Sequence, residues 1–122
     1  MLINLSNHPS DSWPESQKQK AHELYQEIID LSFPEVDPNG DEEYIENLAE
    51  LYLNKIIEIK NRTSNTVIVH LMGELTFCFA LVKKLQGYNI KCVASTTKRM
   101  VDTTSKNTIV KTFSFVRFRE YI

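Results

Sequence analysis

Three polar clusters interrupt the chain where apolar runs end: Ser6-Asn7-His8-Pro9-Ser10, Gly73-Glu74, and Ser95-Thr96-Thr97-Lys98-Arg99. Their residue types suit an anionic, phosphate-bearing ligand. A histidine side chain can act as donor or acceptor, and His8 is a candidate to contact a ligand or move a proton. Lys98 and Arg99 offer charge to phosphate oxygens, and Ser95, Thr96 and Thr97 add hydroxyl donors beside them. Gly73 and Glu74 stand at a helix start, where backbone N–H groups can meet an anion and Glu74 either takes a catalytic part or complements the helix dipole.

Each of these residues also has a plainer reading. His8 can satisfy backbone groups in its loop, and Lys98 and Arg99 can be solvated charges. His70 lies inside an apolar run and reads as a hydrogen-bonded sheet histidine. Arg117 and Arg119 read as edge-strand charges that discourage sheet-to-sheet association. Cys78 and Cys92 fall in apolar segments and read as small core residues. The chain contains no GxGxxG, Walker loop, paired Cys or His at zinc spacing, or nucleophile elbow, so neither a metal nor a cofactor is expected.

The elements that must position these clusters follow from the patterning. Val67-Ile68-Val69-His70-Leu71-Met72 is a run with little polar face, which suits a central parallel strand covered on both sides. Gly73-Glu74 turns it into a helix expected from Leu75 to Gln86 and closed by Gly87. Leu2 to Leu5 is a first strand. Ser12-Trp13-Pro14-Glu15 predicts a Ser-capped helix to about Gln26, with Ala21, Leu24, Tyr25 and Ile28 on one face. Ile28 to Leu31 is a second strand, and Asp41 is placed to cap a long helix through Lys60. Ile90 to Ala94 is a fourth strand that empties into the Ser95-to-Arg99 segment as a loop. Residues 102–107 read as turn-rich, and Thr108 to Phe118 as one or two antiparallel edge strands. The fold class is α/β: a Rossmann-like three-layer fold with a mainly parallel sheet in the order 2-1-3-4, one domain over residues 1–122. In that order the ends of the first and third strands open a crevice, which brings Asn7 and His8 towards Gly73 and Glu74.

With 122 residues, 42% apolar and 25% charged, the chain has enough for one modest core. A formal net charge of −2 argues against coating long nucleic acid by bulk charge. No apolar run reaches membrane-span length and the start lacks a secretion pattern, so a cytoplasmic location is expected. Phe77 to Val82 is apolar around most of a helix, and a second subunit in a homodimer is the simplest cover.

The motifs Leu5-Ser6-Asn7-His8-Pro9-Ser10, Met72-Gly73-Glu74-Leu75-Thr76-Phe77, Ala94-Ser95-Thr96-Thr97-Lys98-Arg99 and Phe115-Val116-Arg117-Phe118-Arg119-Glu120-Tyr121 resemble those of small single-domain CRISPR-associated Rossmann-like proteins, including the CARF group. The resemblance implies an antiviral-defence homodimer that holds a cyclic oligoadenylate between two facing crevices and, as a ring nuclease, cleaves it without a metal. In that scheme a 2′-hydroxyl attacks its neighbouring phosphate in line. His8 moves a proton, Glu74 orients a ribose hydroxyl, and Lys98 and Arg99 stabilise the phosphate. Ser6, Asn7, Ser10, Gly73, Thr76, Ser95, Thr96 and Thr97 line the ligand. Two alternatives stand beside it: a binding-only sensor or sponge for the same ligand, and an unrelated small-molecule or nucleotide enzyme on the same fold.

Overall fold

A computed structural model describes residues 1–105 and 108–122, with side chains described at 1–101 and 112–122. Apolar runs and their alternation define five strands: β1 (Leu2–Ser6), β2 (Ile28–Asp30), β3 (Ile68–Met72), β4 (Lys91–Ser105) and β5 (Thr108–Glu120). They form one sheet in the order β2-β1-β3-β4-β5, parallel across the first three pairings and antiparallel between β4 and β5. The expected 2-1-3-4 order is present, with the C-terminal strand on its β4 edge.

Three helices complete the layers: α1 (Glu15–Tyr25), α2 (Glu42–Asn61) and α3 (Leu75–Gly87). α1 covers one face, where Leu2, Trp13, Ala21, Val93 and Phe118 form a small core. α2 and α3 cover the other, over Ile3, Leu5, Val69, Leu71 and Cys92. The period of two along a strand explains the division, since Leu2 and Ile3 must point to opposite faces. The result is a three-layer, Rossmann-like α/β fold.

Several local expectations are corrected. Ser12 does not cap α1: its Oγ donates to the Pro9 carbonyl at 2.8 Å within a short 3-10 turn, and the helix begins at Glu15 after Pro14. The buried positions of α1 are Gln17 and Ala21, whereas Leu24 is exposed and Ile28 belongs to β2. Asp41 does cap α2, accepting from the Tyr44 N–H at 3.0 Å. After α3 it is Asn89, not Gly87, that takes the left-handed conformation, at φ 58°; a short polar side chain tolerates that region.

α2 packs beside α3 within the same chain, so much of the apolar girth of α3 is covered without a second subunit. Tyr52 of α2 meets Phe77 of α3 edge to face at 5.5 Å between centroids. Leu75 and Phe79 remain 82% and 69% exposed. Among the described residues no helix is long and apolar enough to cross a membrane.

The Ser95-to-Arg99 segment is not a loop. It continues β4, paired with β5 from Val93 to Ser105, because Thr96 and Thr97 are β-branched and the partner strand offers a long antiparallel ladder. Of the expected turn at 102–107, residues 102–105 are strand, and Lys106 and Asn107 lie outside the described residues. Two register shifts break the ladder, one between Thr103 and Ser105 and one nearer the parallel sheet, where Thr96 pairs with Arg117 but Thr97 with Phe115, leaving Val116 as an extra residue. Thr96 Oγ1 secures this bulge, donating to the Arg117 carbonyl at 3.1 Å and accepting from its N–H at 3.2 Å.

Candidate functional site

On the α1 face, the C-terminal ends of the strands carry polar side chains where the N-terminal ends carry apolar ones. Asn4 is the register partner of both Asp30 and His70, so three polar residues stand in one row across β2, β1 and β3. Asn4 and His70 are each only 2% exposed. Buried groups of this kind need partners, and they have them. Asn4 Nδ2 donates to Asp30 Oδ1 at 2.8 Å and to the His8 carbonyl at 2.9 Å. Asn4 Oδ1 accepts from Ser6 Oγ at 2.8 Å and lies 2.9 Å from His70 Nδ1. On the far side, His70 Nε2 lies 3.2 Å from Ser95 Oγ on β4.

The row has a definite electrostatic character. Burial pushes the His70 imidazole down to about 4, so the ring is neutral at physiological pH. Burial works to raise Asp30, but hydrogen bonds from Asn4 and from the Ser10 hydroxyl and N–H outweigh it and hold the carboxyl below its usual range. Trp13 packs edge-on to His70 at 5.1 Å and sends its indole N–H to the His8 carbonyl at 3.1 Å. That carbonyl, which Asn4 also reaches, fixes the loop after β1.

Above this row opens a cavity of about 500 Å³, in the usual range for small-ligand sites. Ser6, Asn7, His8, Gly73, Ser95 and Thr97 line it together with His70. Its apolar walls come from Trp13 and from Phe113 and Phe115 of β5. Gly73 is required by the close approach of Phe33, whose ring carbon Cζ would stand 2.2 Å from an added Cβ.

Six of the twelve residues expected at the site, Ser6, Asn7, His8, Gly73, Ser95 and Thr97, therefore come together, and six do not line the cavity. Ser10 is held to Asp30 beside it. Glu74 turns onto its own helix, accepting from the Phe77 N–H at 2.7 Å and the Thr76 N–H at 3.1 Å. These bonds, that from Phe77 foremost, keep its carboxyl below the ordinary value. Thr76 donates its hydroxyl to that carboxylate and faces the groove between α2 and α3. Thr96 is committed to the bulge. Arg99 pairs with Phe113 and so shares the cavity face of the ribbon beyond Thr97, whereas Lys98 pairs with Ser114 on the opposite face. Both cations are exposed.

Asn4, Trp13, Gln17, Asp30, His70, Phe113 and Phe115 were not among the expected site residues. For Asn4 and His70 the sequence carried a usable signal, a polar side chain inside an otherwise apolar central strand. The two thiols stay outside the site: burial pushes Cys78 and Cys92 each up to about 12, which leaves them inert core groups.

The fold and site define a small Rossmann-like α/β protein with a polar cavity at the carboxyl ends of its parallel strands. A family model described as the uncharacterized protein MJ1673 family matches residues 1–119, and the chain belongs to that family. No curated protein and no solved structure matched the chain.

Proposed function

We propose that the protein is a CRISPR-associated receptor for a cyclic oligoadenylate, taking one adenosine of the ring into the cavity on the α1 face and acting as a homodimer. The observation that carries this reading is the composition of the cavity: an exposed aromatic wall, Phe113, stands at its mouth opposite inward hydroxyl and imidazole groups of Ser6, Ser95 and His70. An aromatic face stacks a base, and a hydroxyl oriented by the imidazole behind it meets a sugar. The remaining phosphates of the ring lie across the mouth, where Arg99 shares the cavity face. Leu75 and Phe79 supply exposed apolar surface for a second copy.

Cleavage of the ring is the catalytic form of the same proposal. A 2′-hydroxyl gives its proton to solvent water as it attacks its adjacent phosphorus, the bond to the 5′-oxygen breaks, and that oxygen leaves with a proton taken from the protein. His8 at the edge of the cavity is the candidate donor. Titration calorimetry with cyclic oligoadenylates of different ring size tests binding, and saturable binding of at least one is expected. Mass spectrometry in the presence of chelator tests cleavage. A cyclic-phosphate product marks a ring nuclease, an intact ring marks a sensor or sponge, and binding of no ring size removes the proposal.

A further inference from the structure

The hydrogen bonds around His70 leave little freedom in where their protons lie. Asn4 Nδ2 faces two groups that only accept, the Asp30 carboxylate and the His8 carbonyl, so the amide orientation is fixed and Oδ1 must be the atom towards His70. A carbonyl oxygen cannot donate. His70 therefore carries its proton on Nδ1, and Nε2 is a bare acceptor aimed at Ser95 Oγ. Ser95 Oγ has one other neighbour, Met72 Sδ at 3.1 Å, but a thioether is a weak acceptor beside an imidazole nitrogen. The Ser95 proton thus goes to His70.

We infer that the relay Ser95–His70–Asn4–Asp30 makes Ser95 a fixed hydrogen-bond acceptor towards the cavity, which selects a ligand bearing a neutral donor at that point, a sugar hydroxyl, over one bearing an anionic oxygen. All donors in the row point the same way, from the cavity towards the Asp30 carboxylate. Only the oxygen lone pairs of Ser95 are left for a ligand. The direction of the relay stands on geometry; the assignment of the donor to an adenosine ribose rests on the nucleotide reading above.

A serine nucleophile would use the same four residues differently. It would require His70 to accept a proton, and the partner waiting at Nδ1 is a neutral amide oxygen, with Trp13 and Phe118 packed edge-on at 5.1 and 5.7 Å. That setting disfavours an imidazolium. Holding a direction demands no such change of charge.

Nitrogen-15 NMR of the full chain labelled at histidine tests the direction without any ligand. The expected spectrum shows a protonated Nδ1 and an unprotonated Nε2 for His70, unchanged from pH 6 to 8 on the order of the neutral range. A proton on Nε2, or a titrating ring in that range, overturns the inference. Binding of adenosine is then compared with binding of 2′-deoxyadenosine and 3′-deoxyadenosine. Wild type should lose about tenfold in affinity for the one lacking the contacted hydroxyl, and Ser95→Ala should bind it and adenosine alike. Equal discrimination in Ser95→Ala overturns the acceptor role. If the tautomer is as stated and none of the three nucleosides binds, the nucleotide reading fails while the relay direction stands. Labelling of Ser95 by a fluorophosphonate, lost in His70→Gln, would make it a nucleophile and overturn the inference.

Discussion

Asn4 and His70 are register partners on adjacent parallel strands, with Asn4 Oδ1 2.9 Å from His70 Nδ1. The sheet brings together two residues 66 positions apart in sequence, and each gives the other a buried hydrogen-bond partner. Asn4 makes four hydrogen bonds, to Asp30, His8, Ser6 and His70, and so ties the loop after β1 to the floor of the cavity.

Asn4→Ala should cost about 3 kcal/mol, the upper end for a buried polar group left without its partner, since it strands the His70 N–H, while the Ser6 hydroxyl keeps the His8 carbonyl at 3.1 Å. Chemical denaturation reads this as a lower midpoint at unchanged slope. A loss below about 0.5 kcal/mol, the level of an ordinary surface substitution, would show that the row is not buried in solution.

The neutral His70 predicts a pH dependence of stability. The unfolded ring protonates near its ordinary 6.5 and the folded ring only near 4, so between these values the unfolded state binds more protons. Stability is therefore full above about pH 6.5, falls as pH drops towards about 4, and loses about 3 kcal/mol from this group over that window. His70→Gln should flatten the slope in that window. The lowered Asp30 carboxyl acts in the same direction, but only as pH falls below its ordinary 3.8, so the two contributions separate along the pH axis. An unchanged slope in His70→Gln would assign the acid sensitivity to other groups.

Glu74→Ala should cost about 1 kcal/mol through loss of the α3 cap and leave ligand affinity where it was. Its carboxylate is spent on Thr76 and Phe77. Thermal denaturation and calorimetry on the same preparation check both halves, and a tenfold loss of affinity at intact stability would restore Glu74 to the site.

Much of this architecture was legible in the chain. The apolar runs at β1 and β3, the Asp41 cap and the polar breaks between elements carried the strand order, because parallel strands buried on both faces leave an unmistakable hydrophobic trace. The site was harder. A loop and a two-sided polar strand look alike in sequence, and the stretch from Ser95 to Arg99 turns out to be paired with β5 over its length. Glu74 and Thr76 were the right types at the right place, yet a helix start offers its own N–H groups as partners and consumed both. His70 was read correctly as a hydrogen-bonded sheet histidine. What the sequence did not display was the register that aligns it with Asn4 and Asp30, a relation among three segments far apart in the chain.

The last prediction separates the two neighbouring cations, which sequence alone treats as equivalent. Arg99 stands opposite Phe113, a cavity residue, and Lys98 opposite Ser114 on the other face of the ribbon. Opposed residues share a face and adjacent ones do not. If the phosphates of a cyclic oligoadenylate cross the cavity mouth, Arg99→Ala should weaken binding by roughly 1.5–3 kcal/mol, the worth of a charge-assisted hydrogen bond, and make binding less sensitive to salt. Lys98→Ala should change affinity by less than about 0.5 kcal/mol, as for a solvated surface charge. Calorimetry at two salt concentrations measures both variants against wild type. Equal losses would mean that general positive charge attracts the ligand and strand parity plays no part. A loss confined to Lys98→Ala would place the phosphates on the α3 side of the ribbon, away from the Ser95–His70 row.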